Sequence, residues 1–321
     1  MELKTRYQYT YFIYPYTVQE KQYSKYLLKL LNNKDFRLRI FQKERDYDIY
    51  TYFLPKIREY MFSSFNYKTP NIRMLEETKN DVTSAVLSKE PCVIFEYNIT
   101  RDIQGKTQEK QGIFFKIEKI ELICFNTGIC FLCMKTNVED IDEFSNILNF
   151  NYKFREINQE SSKLNNYDQI RVQTNTFKDI KTITELIQDI TGTDYEATKL
   201  NIDTNRFLTY SYVCIDQEAW NNSTNFDDIT DQFTKYINVL PNDNVVNHGD
   251  EKATIVSKWK YAKIGITKQG VALFSSTADM NNFTKLPQDF ETIYLYTYIF
   301  TLYKKIYLKK ISERFQRSRI C

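Results

Sequence analysis

The stretch from Gly112 to Val138 constrains the fold more than any other part of this 321-residue chain. Two apolar runs flank Asn126-Thr127-Gly128, and Asn and Gly tolerate the positive φ angles that tight hairpin turns require. The second run, Ile129 to Met134, is apolar at every position, which is typical of a central strand covered on both faces. The sequence therefore predicts an α/β (α+β) fold, with a mixed β-sheet flanked by helices.

Further strand and helix patterns lie on both sides of this hairpin. Strands are predicted at Arg6 to Tyr14, Phe36 to Ile40, Phe207 to Ile215, Thr254 to Tyr261, Lys263 to Thr267 and Val271 to Ser276. Helices are predicted around Tyr26 to Leu31, from Asp46 to Phe65 with an interruption at Pro55, from Phe177 to Ile190 ended by Gly192, and from Phe226 to Val239. We expect residues 1–286 to form an α/β domain, with a subdivision near residue 160, and residues 287–321 to form a C-terminal helix.

The composition argues against several classes of function. A formal net charge of +3 is too small for a chain that binds nucleic acid over its whole surface. The single histidine, His248, lies in a polar loop with no nucleophile or orienting acid nearby in sequence, so Ser-His-Asp and Cys-His catalysis is not expected. Neither of the common glycine-rich phosphate loops occurs. These patterns favour a protein that is not an enzyme.

Six cysteines in a chain of this length do not suggest a secreted disulfide framework, and no apolar signal peptide opens the sequence. A reducing, cytoplasmic compartment is therefore expected. Cys130 and Cys133 have the C-x-x-C spacing of zinc and redox sites. They lie within a predicted strand, however, where residues three apart point to opposite faces. We expect them to be buried core cysteines.

Two acidic clusters are candidate cation sites. They are Glu139 to Glu143 and Asp227 to Asp231, and either could attract Mg²⁺ or Ca²⁺. Each lies where a helix should begin, and acids in a first helical turn are favoured by the helix dipole alone. No cofactor other than Mg²⁺ is suggested, and metal ligands are left unassigned. A soluble Mg²⁺-dependent enzyme of nucleotide or nucleic-acid metabolism stays open as an alternative, as does a soluble defence or phage protein that acts through protein contacts.

Basic residues beside aromatic residues are the candidate ligand-binding groups. They are Arg37, Arg39, Arg101, Lys258, Trp259 and Lys260. Trp259 could stack on a base while the flanking lysines meet phosphate groups. Strand alternation equally predicts Trp259 as a core anchor with the lysines on the solvent face.

The sequence LPQDFETIYLYTYIFTLYKKIYLKKISERFQRSRIC, from Leu286 onward, is an uninterrupted helical pattern that is first aromatic and then basic. Only twelve uncharged residues separate Glu291 from Lys304, fewer than the roughly 18 to 20 that cross a bilayer. The membrane-proximal basic residues are Lys304, Lys305, Lys309, Lys310 and Arg314, and such a cluster is attracted to anionic lipid. The pattern fits a helix docked on its own domain. It also fits a stalk, Phe290 to Arg314, that projects from the body and self-associates or approaches a membrane.

The segment IYLYTYIFTLYKKIYLKKIS resembles the region just before the membrane in the CorA-like magnesium-transporter superfamily, particularly a divergent bacterial group linked to type III CRISPR and other antiviral loci. The resemblance implies the cytoplasmic sensing domain of a membrane effector, on the cytoplasmic side of the bacterial cell membrane. It implies a homo-oligomer, pentameric in that superfamily, gated by a nucleotide-type second messenger such as the adduct of S-adenosylmethionine and AMP. Direct nucleic-acid binding is not expected. Asp279-Met280-Asn281 lacks the glycine of the family's Gly-Met-Asn pore motif, so no pore role is carried over.

Overall fold

The computed structural model of the chain describes most of its length. The described residues are 3–62, 87–99, 103–107, 112–139, 143–158, 170–173, 180–193, 205–220, 226–243 and 253–318. Arg101 and His248 lie outside the described residues.

Strands in these ranges build a single sheet. They are β1 (Thr5–Thr17), β2 (Phe36–Leu38), β3 (Cys92–Tyr97), β4 (Ile103–Thr107), β5 (Phe114–Phe125), β6 (Ile129–Val138), β7 (Ile170–Gln173), β8 (Ile180–Lys181), β9 (Leu208–Ile215), β10 (Thr254–Trp259), β11 (Ala262–Ile266) and β12 (Gly270–Ser276). The strand order is β10-β11-β12-β9-β1-β6-β5-β4-β7-β8, and β3 pairs with both β5 and β2. All pairings are antiparallel except that of β9 with β12.

Helices cover both sides of the sheet. They are α1 (Tyr23–Asn32), α2 (Tyr47–Tyr52), α3 (Pro55–Met61), α4 (Phe144–Phe154), α5 (Ile183–Thr191), α6 (Thr230–Asn238), α7 (Leu286–Asp289) and α8 (Leu295–Ser318). A π-helical turn, Phe290–Tyr294, joins α7 to α8 without a break. We call the continuous element Leu286–Ser318 the C-terminal helix.

The central strand β1 is buried on both faces, because alternate residues enter two separate cores. Phe12, Tyr14 and Tyr16 join α1, α4 and α5 in one core. Tyr9 and Ile13 join α2, α3 and the C-terminal helix in the other. A third cluster, which includes α6, extends the first core along the same side of the sheet. We call the two sides the α1 face and the C-helix face.

The predicted hairpin is confirmed as β5 and β6. Ile120 to Phe125 and Ile129 to Met134 are almost wholly removed from solvent. Near the start of β5 alternate residues are buried, whereas Phe114 is 51% exposed. Gly128 has a φ of 78° in the turn, and a Cβ placed there would lie 2.2 Å from the carbonyl oxygen of Val18. Glycine is therefore required both by its conformation and by the close approach of β1.

One local prediction needs adjustment. The helix predicted from Phe177 actually begins at Ile183, because Ile180–Lys181 pairs with β7 as a short strand. Thr182 starts the helix: its hydroxyl accepts the Glu185 amide at 3.2 Å, while the Glu185 carboxylate accepts the Thr182 amide at 2.7 Å. This reciprocal capping box satisfies amide groups that the first helical turn leaves free.

The C-terminal helix is long and continuous, as predicted, but the prediction that it projects from the body as a stalk is wrong. It lies along the C-helix face, and Phe290, Leu295, Ile299, Tyr303 and Ile306 are at most 6% exposed. The aromatic stripe is buried by the protein's own sheet and by α3. Within the described ranges, no helix combines the length and the apolar character needed to cross a membrane.

Candidate ligand site beneath the C-terminal helix

A row of charged residues crosses the C-helix face near the β2 edge of the sheet. Arg37 on β2 lies opposite Glu96 on β3, and Glu96 lies opposite Glu121 on β5. Like charges directly opposite each other destabilise a sheet, so the two glutamates require cations nearby. Arg39 and Lys119 supply them.

A β-bulge in β5 brings this row to the C-helix face. Ile117 pairs with Thr136 and Lys119 pairs with Lys135, so one residue of β5 is left over between them. Before the bulge, Ile117 points into the α1 core, and after it Ile120 does so. Without this extra residue, strand alternation would turn Glu121 into the apolar α1 core.

Glu121 is the most enclosed member of the group, with its side chain fully buried. One carboxylate oxygen, Oε1, accepts a hydrogen bond from the Tyr296 hydroxyl of the C-terminal helix at 3.1 Å and lies 3.1 Å from Lys119 Nζ. Its Oε2 is buried with no hydrogen-bond partner among the described residues. A buried acceptor of this kind carries a desolvation cost, so a ligand or water that donated to it would be favoured.

The two predicted arginines, Arg37 and Arg39, both pair with Glu96, which is the cross-strand neighbour of Glu121. Arg37 donates to Glu96 Oε2 at 2.9 and 2.6 Å, and Arg39 Nε lies 3.2 Å from Glu96 Oε1. Arg39 also donates to Asp46 at 2.5 Å and stands over the Phe41 ring. Arg37 is 68% exposed and reachable from solvent, whereas Arg39 is 28% exposed. We call Arg37, Arg39, Glu96, Lys119, Glu121 and Tyr296 the polar cluster.

A second polar contact holds the first turns of the C-terminal helix. Glu291 accepts a hydrogen bond from the Tyr11 hydroxyl at 2.8 Å and another from Lys135 Nζ at 2.8 Å. Lys135 also pairs with Glu118 at 3.3 Å and stands over the Tyr9 ring at 4.8 Å. The helix is therefore attached to the sheet by ionisable groups as well as by apolar packing.

Electrostatics keep these groups in defined protonation states at neutral pH. Burial works to lower the pKa of Lys119, but the charge and hydrogen bond of Glu121, together with the charges of Glu291 and Glu96, outweigh it and the net pKa is raised. Burial likewise works to lower the pKa of Lys135, and the charge and hydrogen bond of Glu291, together with the charge of Glu118, raise the net pKa. Burial, and then the negative charge of Glu121, raises the pKa of Tyr296. Both lysines are thus cationic and Tyr296 is a neutral donor.

The remaining predicted ligand residues lie elsewhere or outside the described residues. Lys258 and Trp259 lie on β10, at the opposite edge of the sheet from β2. Eight strand spacings separate these edges, which is roughly 38 Å at about 4.8 Å per spacing. Trp259 is half-buried against the C-helix-face core, as in the core-anchor interpretation, and Lys260 Nζ stands 5.0 Å from the Tyr261 ring. The two basic groups are therefore not brought together.

The basic end of the C-terminal helix divides into two sides. Lys304, Lys305 and Lys309 are exposed. Lys310 and Arg314 turn towards the body, where both donate to Glu20 at 3.0 and 2.7 Å, and Lys310 also donates to the Thr127 carbonyl of the β5–β6 turn.

The structure describes some, but not all, of the residues that were considered as metal ligands. Cys130 points into the α1 core and Cys133 into the C-helix-face core, so the predicted opposite orientation is confirmed. Glu139 pairs with Lys116 at 3.5 Å, and its neighbours 140–142 lie outside the described residues. Over the described part of the chain, no three His, Cys, Asp or Glu side chains converge as a metal site.

Sequence reasoning identified Arg37 and Arg39 but missed Glu96, Lys119 and Glu121. A signal for the bulge was present. Buried apolar residues switch from odd positions, ending at Ile117, to even positions, beginning at Ile120, with only polar residues between them. Glu121 was visible as one acid within the apolar run Ile120 to Phe125.

Comparison with known proteins adds no relationship, since no family model and no curated protein matches this chain.

Proposed function

We propose that this chain is the ligand-sensing, non-enzymatic domain of a CorA-like membrane effector, and that its C-terminal helix transmits ligand binding. The observation that carries the proposal is the polar attachment of this helix. Tyr296 and Glu291 bind sheet residues that are themselves held in ion pairs. A ligand that redistributes those ion pairs changes the free energy of helix docking.

The proposed ligand is a nucleotide-type second messenger in antiviral defence, as the family resemblance implies. Its phosphate would pair with Arg37 and Arg39, which now share Glu96, because planar guanidinium groups bind phosphate in two-pronged geometry. Ligand binding shifts a conformational equilibrium only through different affinities for the two states. A ligand that pairs with Arg37 and Arg39 beside Glu96 would have different affinities for the docked and undocked states of the helix, because Glu96 lies beside the Glu121–Tyr296 hydrogen bond.

A thermal-shift panel on the whole chain tests ligand binding. The probes are AMP, ATP, S-adenosylmethionine and the adduct of S-adenosylmethionine with AMP. We expect at least one probe to raise Tm, because a ligand at 100 times its Kd stabilises a protein by about 2.7 kcal/mol. The shift should disappear in Arg37→Met and persist in Lys260→Met, a matched change of an exposed cation at the other edge of the sheet. No shift with any probe, or a shift lost only in Lys260→Met, would contradict the proposal.

The output side of the proposal concerns membrane and self-association. The exposed lysines Lys304, Lys305 and Lys309 should bind vesicles that contain phosphatidylserine, with an affinity that falls steeply as salt rises. Changing all three to Gln should abolish co-sedimentation, whereas Lys21→Gln, Lys25→Gln and Lys43→Gln together should not. Sedimentation velocity with and without the stabilising nucleotide reports the proposed homo-oligomer. Equal vesicle binding by both triple variants would sink the membrane proposal.

A further inference from the structure

Two cysteines of the β5–β6 hairpin face each other directly. Cys124 on β5 is the cross-strand partner of Cys130 on β6, and both side chains point into the α1 core. All five cysteines that the structure describes are thiols.

Backbone hydrogen bonds show which kind of cross-strand pair this is. The Asn126 amide donates to the Pro91 carbonyl at 3.1 Å, so the backbone groups of Asn126 point towards β3. Residues two apart on a strand direct their backbone groups to the same side, so those of Cys124 also point towards β3. On the other strand, the Gly128 carbonyl accepts from the Val18 amide at 2.8 Å, so Gly128 and Cys130 direct theirs towards β1. Neither cysteine exchanges backbone hydrogen bonds with the other.

Cys124 and Cys130 are therefore a non-hydrogen-bonded pair, in which the two Cα atoms lie about 4.5 Å apart and the side chains approach closely. A disulfide needs Cα atoms roughly 4.4 to 6.8 Å apart. The pair falls at the short end of that range, where a disulfide forms without backbone movement but is strained and easily reduced.

The other described cysteines have no such partner. Cys92 lies opposite Phe125, Cys133 lies opposite Glu121 and Ile13, and Cys214 lies opposite Tyr7 and Ser275. Within the ranges that the structure covers, Cys124 and Cys130 are the one cross-strand cysteine pair.

We propose that Cys124 and Cys130 are a reversible oxidation site that closes to an intrachain disulfide with a hydroperoxide as oxidant. The hairpin turn between them supplies the Thr127 carbonyl that accepts Lys310 of the C-terminal helix. Closing the disulfide ties the two strands together at the turn and so holds the surface on which the basic end of that helix rests.

The chemistry balances with one peroxide per disulfide. The sulfur of one cysteine, as its thiolate, attacks a peroxide oxygen, the O–O bond breaks, and the departing hydroxide takes up the thiol proton to leave as water. The resulting sulfenic acid is attacked by the second sulfur, the S–O bond breaks, and a second water leaves with the remaining thiol proton. Two thiols and one hydrogen peroxide give one disulfide and two waters, with two electrons passing from sulfur to oxygen.

Burial sets the expected rate. Burial first, and then the contact with Cys124, raises the pKa of Cys130, so this thiol is protonated at neutral pH and reacts slowly. Hydrogen peroxide is close to water in size and needs little opening of the hairpin. We expect the reaction to be faster at pH 9 than at pH 7, because only the thiolate attacks.

Peptide mapping of the oxidised whole chain is the decisive experiment. The folded protein is treated with hydrogen peroxide, and the remaining thiols are alkylated after denaturation. Chymotrypsin then cuts after Phe125 and Phe131, which places Cys124, Cys130 and Cys133 on different peptides. We expect a Cys124–Cys130 link, a mass loss of two hydrogens and reversal by dithiothreitol without unfolding.

Matched variants separate this link from general oxidation. Cys130→Ala should form no link, whereas Cys133→Ala should behave like the parent, and mapping of the parent keeps the test decisive if either variant folds poorly. Unchanged thiols in the folded, peroxide-treated parent would overturn the proposal. So would a link through Cys133, or an interchain link as the main product.

Discussion

Helices cover both faces of the sheet, but different chemistry holds them in place. On the α1 face, Phe12 packs against Phe150, Phe154 and Phe207 with ring centroids 4.3 to 6.0 Å apart. Two buried hydrogen bonds of α1 join neutral groups: the Tyr26 hydroxyl bonds to that of Tyr16, and the Tyr23 hydroxyl donates to the Cys124 carbonyl. On the C-helix face, by contrast, carboxylates and ammonium groups contact the helix.

The difference separates permanent packing from exchangeable packing. Apolar contacts are lost only by exposing surface to water, so α1 is expected to leave the sheet only when the domain unfolds. Ionised groups can exchange one charged partner for another with a smaller change in free energy. A buried ion pair adds little net stability in many proteins and is more informative about specificity or switching. The C-terminal helix is thus the element best suited to respond to an anion.

The largest predicted effect tests whether the apolar core on the C-helix face is as essential for folding as the core on the α1 face. Phe131→Asp on the C-helix face and Leu132→Asp on the α1 face should both unfold the domain, because each buries an unpaired carboxylate at a cost of several kcal/mol. Phe114→Asp, at an exposed position of β5, should fold. Circular dichroism and thermal melts provide the measurement. If Phe131→Asp melted within a degree or two of the parent, the assignment of that core would be wrong.

Alkaline pH should destabilise the fold through Cys214 before it does so through Tyr97. Burial raises the pKa of Cys214, on the C-helix face, from 9.0 to about 11, and burial raises the pKa of Tyr97, on the α1 face, from 10.0 to about 12. Both groups are neutral in both states below pH 9, so their contribution is complete there. Above pH 9 the unfolded chain loses the Cys214 proton while the folded chain keeps it, and stability falls until about pH 11.

The size of this fall follows from linkage. Two pKa units correspond to about 2.7 kcal/mol. The test is a series of denaturant melts between pH 8 and 11.5. Between pH 9 and 11, the free energy of unfolding should fall less in Cys214→Ala than in the parent, by up to this amount. In Tyr97→Phe the fall should be shallower only from pH 10 upward. Identical pH profiles for the parent and both variants would show that neither group is protected by the fold.

Removing one buried hydroxyl from each face gives a matched comparison. Tyr296→Phe removes the hydrogen bond to the Glu121 carboxylate. Tyr26→Phe removes the hydrogen bond with the Tyr16 hydroxyl. Hydrogen bonds to charged groups contribute about 1.5 to 3 kcal/mol and neutral ones about 1 kcal/mol. We expect the first variant to lose more free energy of unfolding in urea melts. A larger loss in Tyr26→Phe would reverse the comparison drawn above.

The smallest predicted effect concerns the end of the C-terminal helix. Hydrogen bonds from Lys310 and Arg314 lower the pKa of Glu20, but the contact is exposed, and Glu20→Gln should reduce global stability by less than about 1 kcal/mol. Amide hydrogen exchange of residues 308–316 should nevertheless accelerate, because the last turns lose their anchor. Glu59→Gln, an exposed acid on α3, is the control. Equal exchange in both variants would show that Glu20 does not anchor the helix.

The regular part of this fold was predictable because its signals are local. The β5–β6 hairpin follows from two apolar runs and an Asn-Thr-Gly turn, and the end of α5 follows from Gly192, whose φ of 62° suits glycine best. The docking of the C-terminal helix was not predictable in the same way. Helical periodicity shows that one stripe is buried but does not identify the surface that buries it.

The candidate site was half visible for a related reason. Arg37 and Arg39 stood out as two arginines on one strand, whereas Glu96 and Glu291 look like ordinary surface acids in sequence. They become part of one site only because the sheet places β3 beside β5 and lays the helix over both. Tyr11 and Glu291, for example, are 280 positions apart, and no local pattern encodes such contacts.

The central position of β1 has a consequence for synthesis on the ribosome. This strand is made well before its neighbours β6 and β9 and before the helix over its C-helix face. At roughly 5 to 20 residues per second, β9 follows β1 by about 10 to 40 s. Throughout that interval a strand with apolar groups on both sides waits without its final partners, so the nascent chain should depend on chaperones until its last third has been translated.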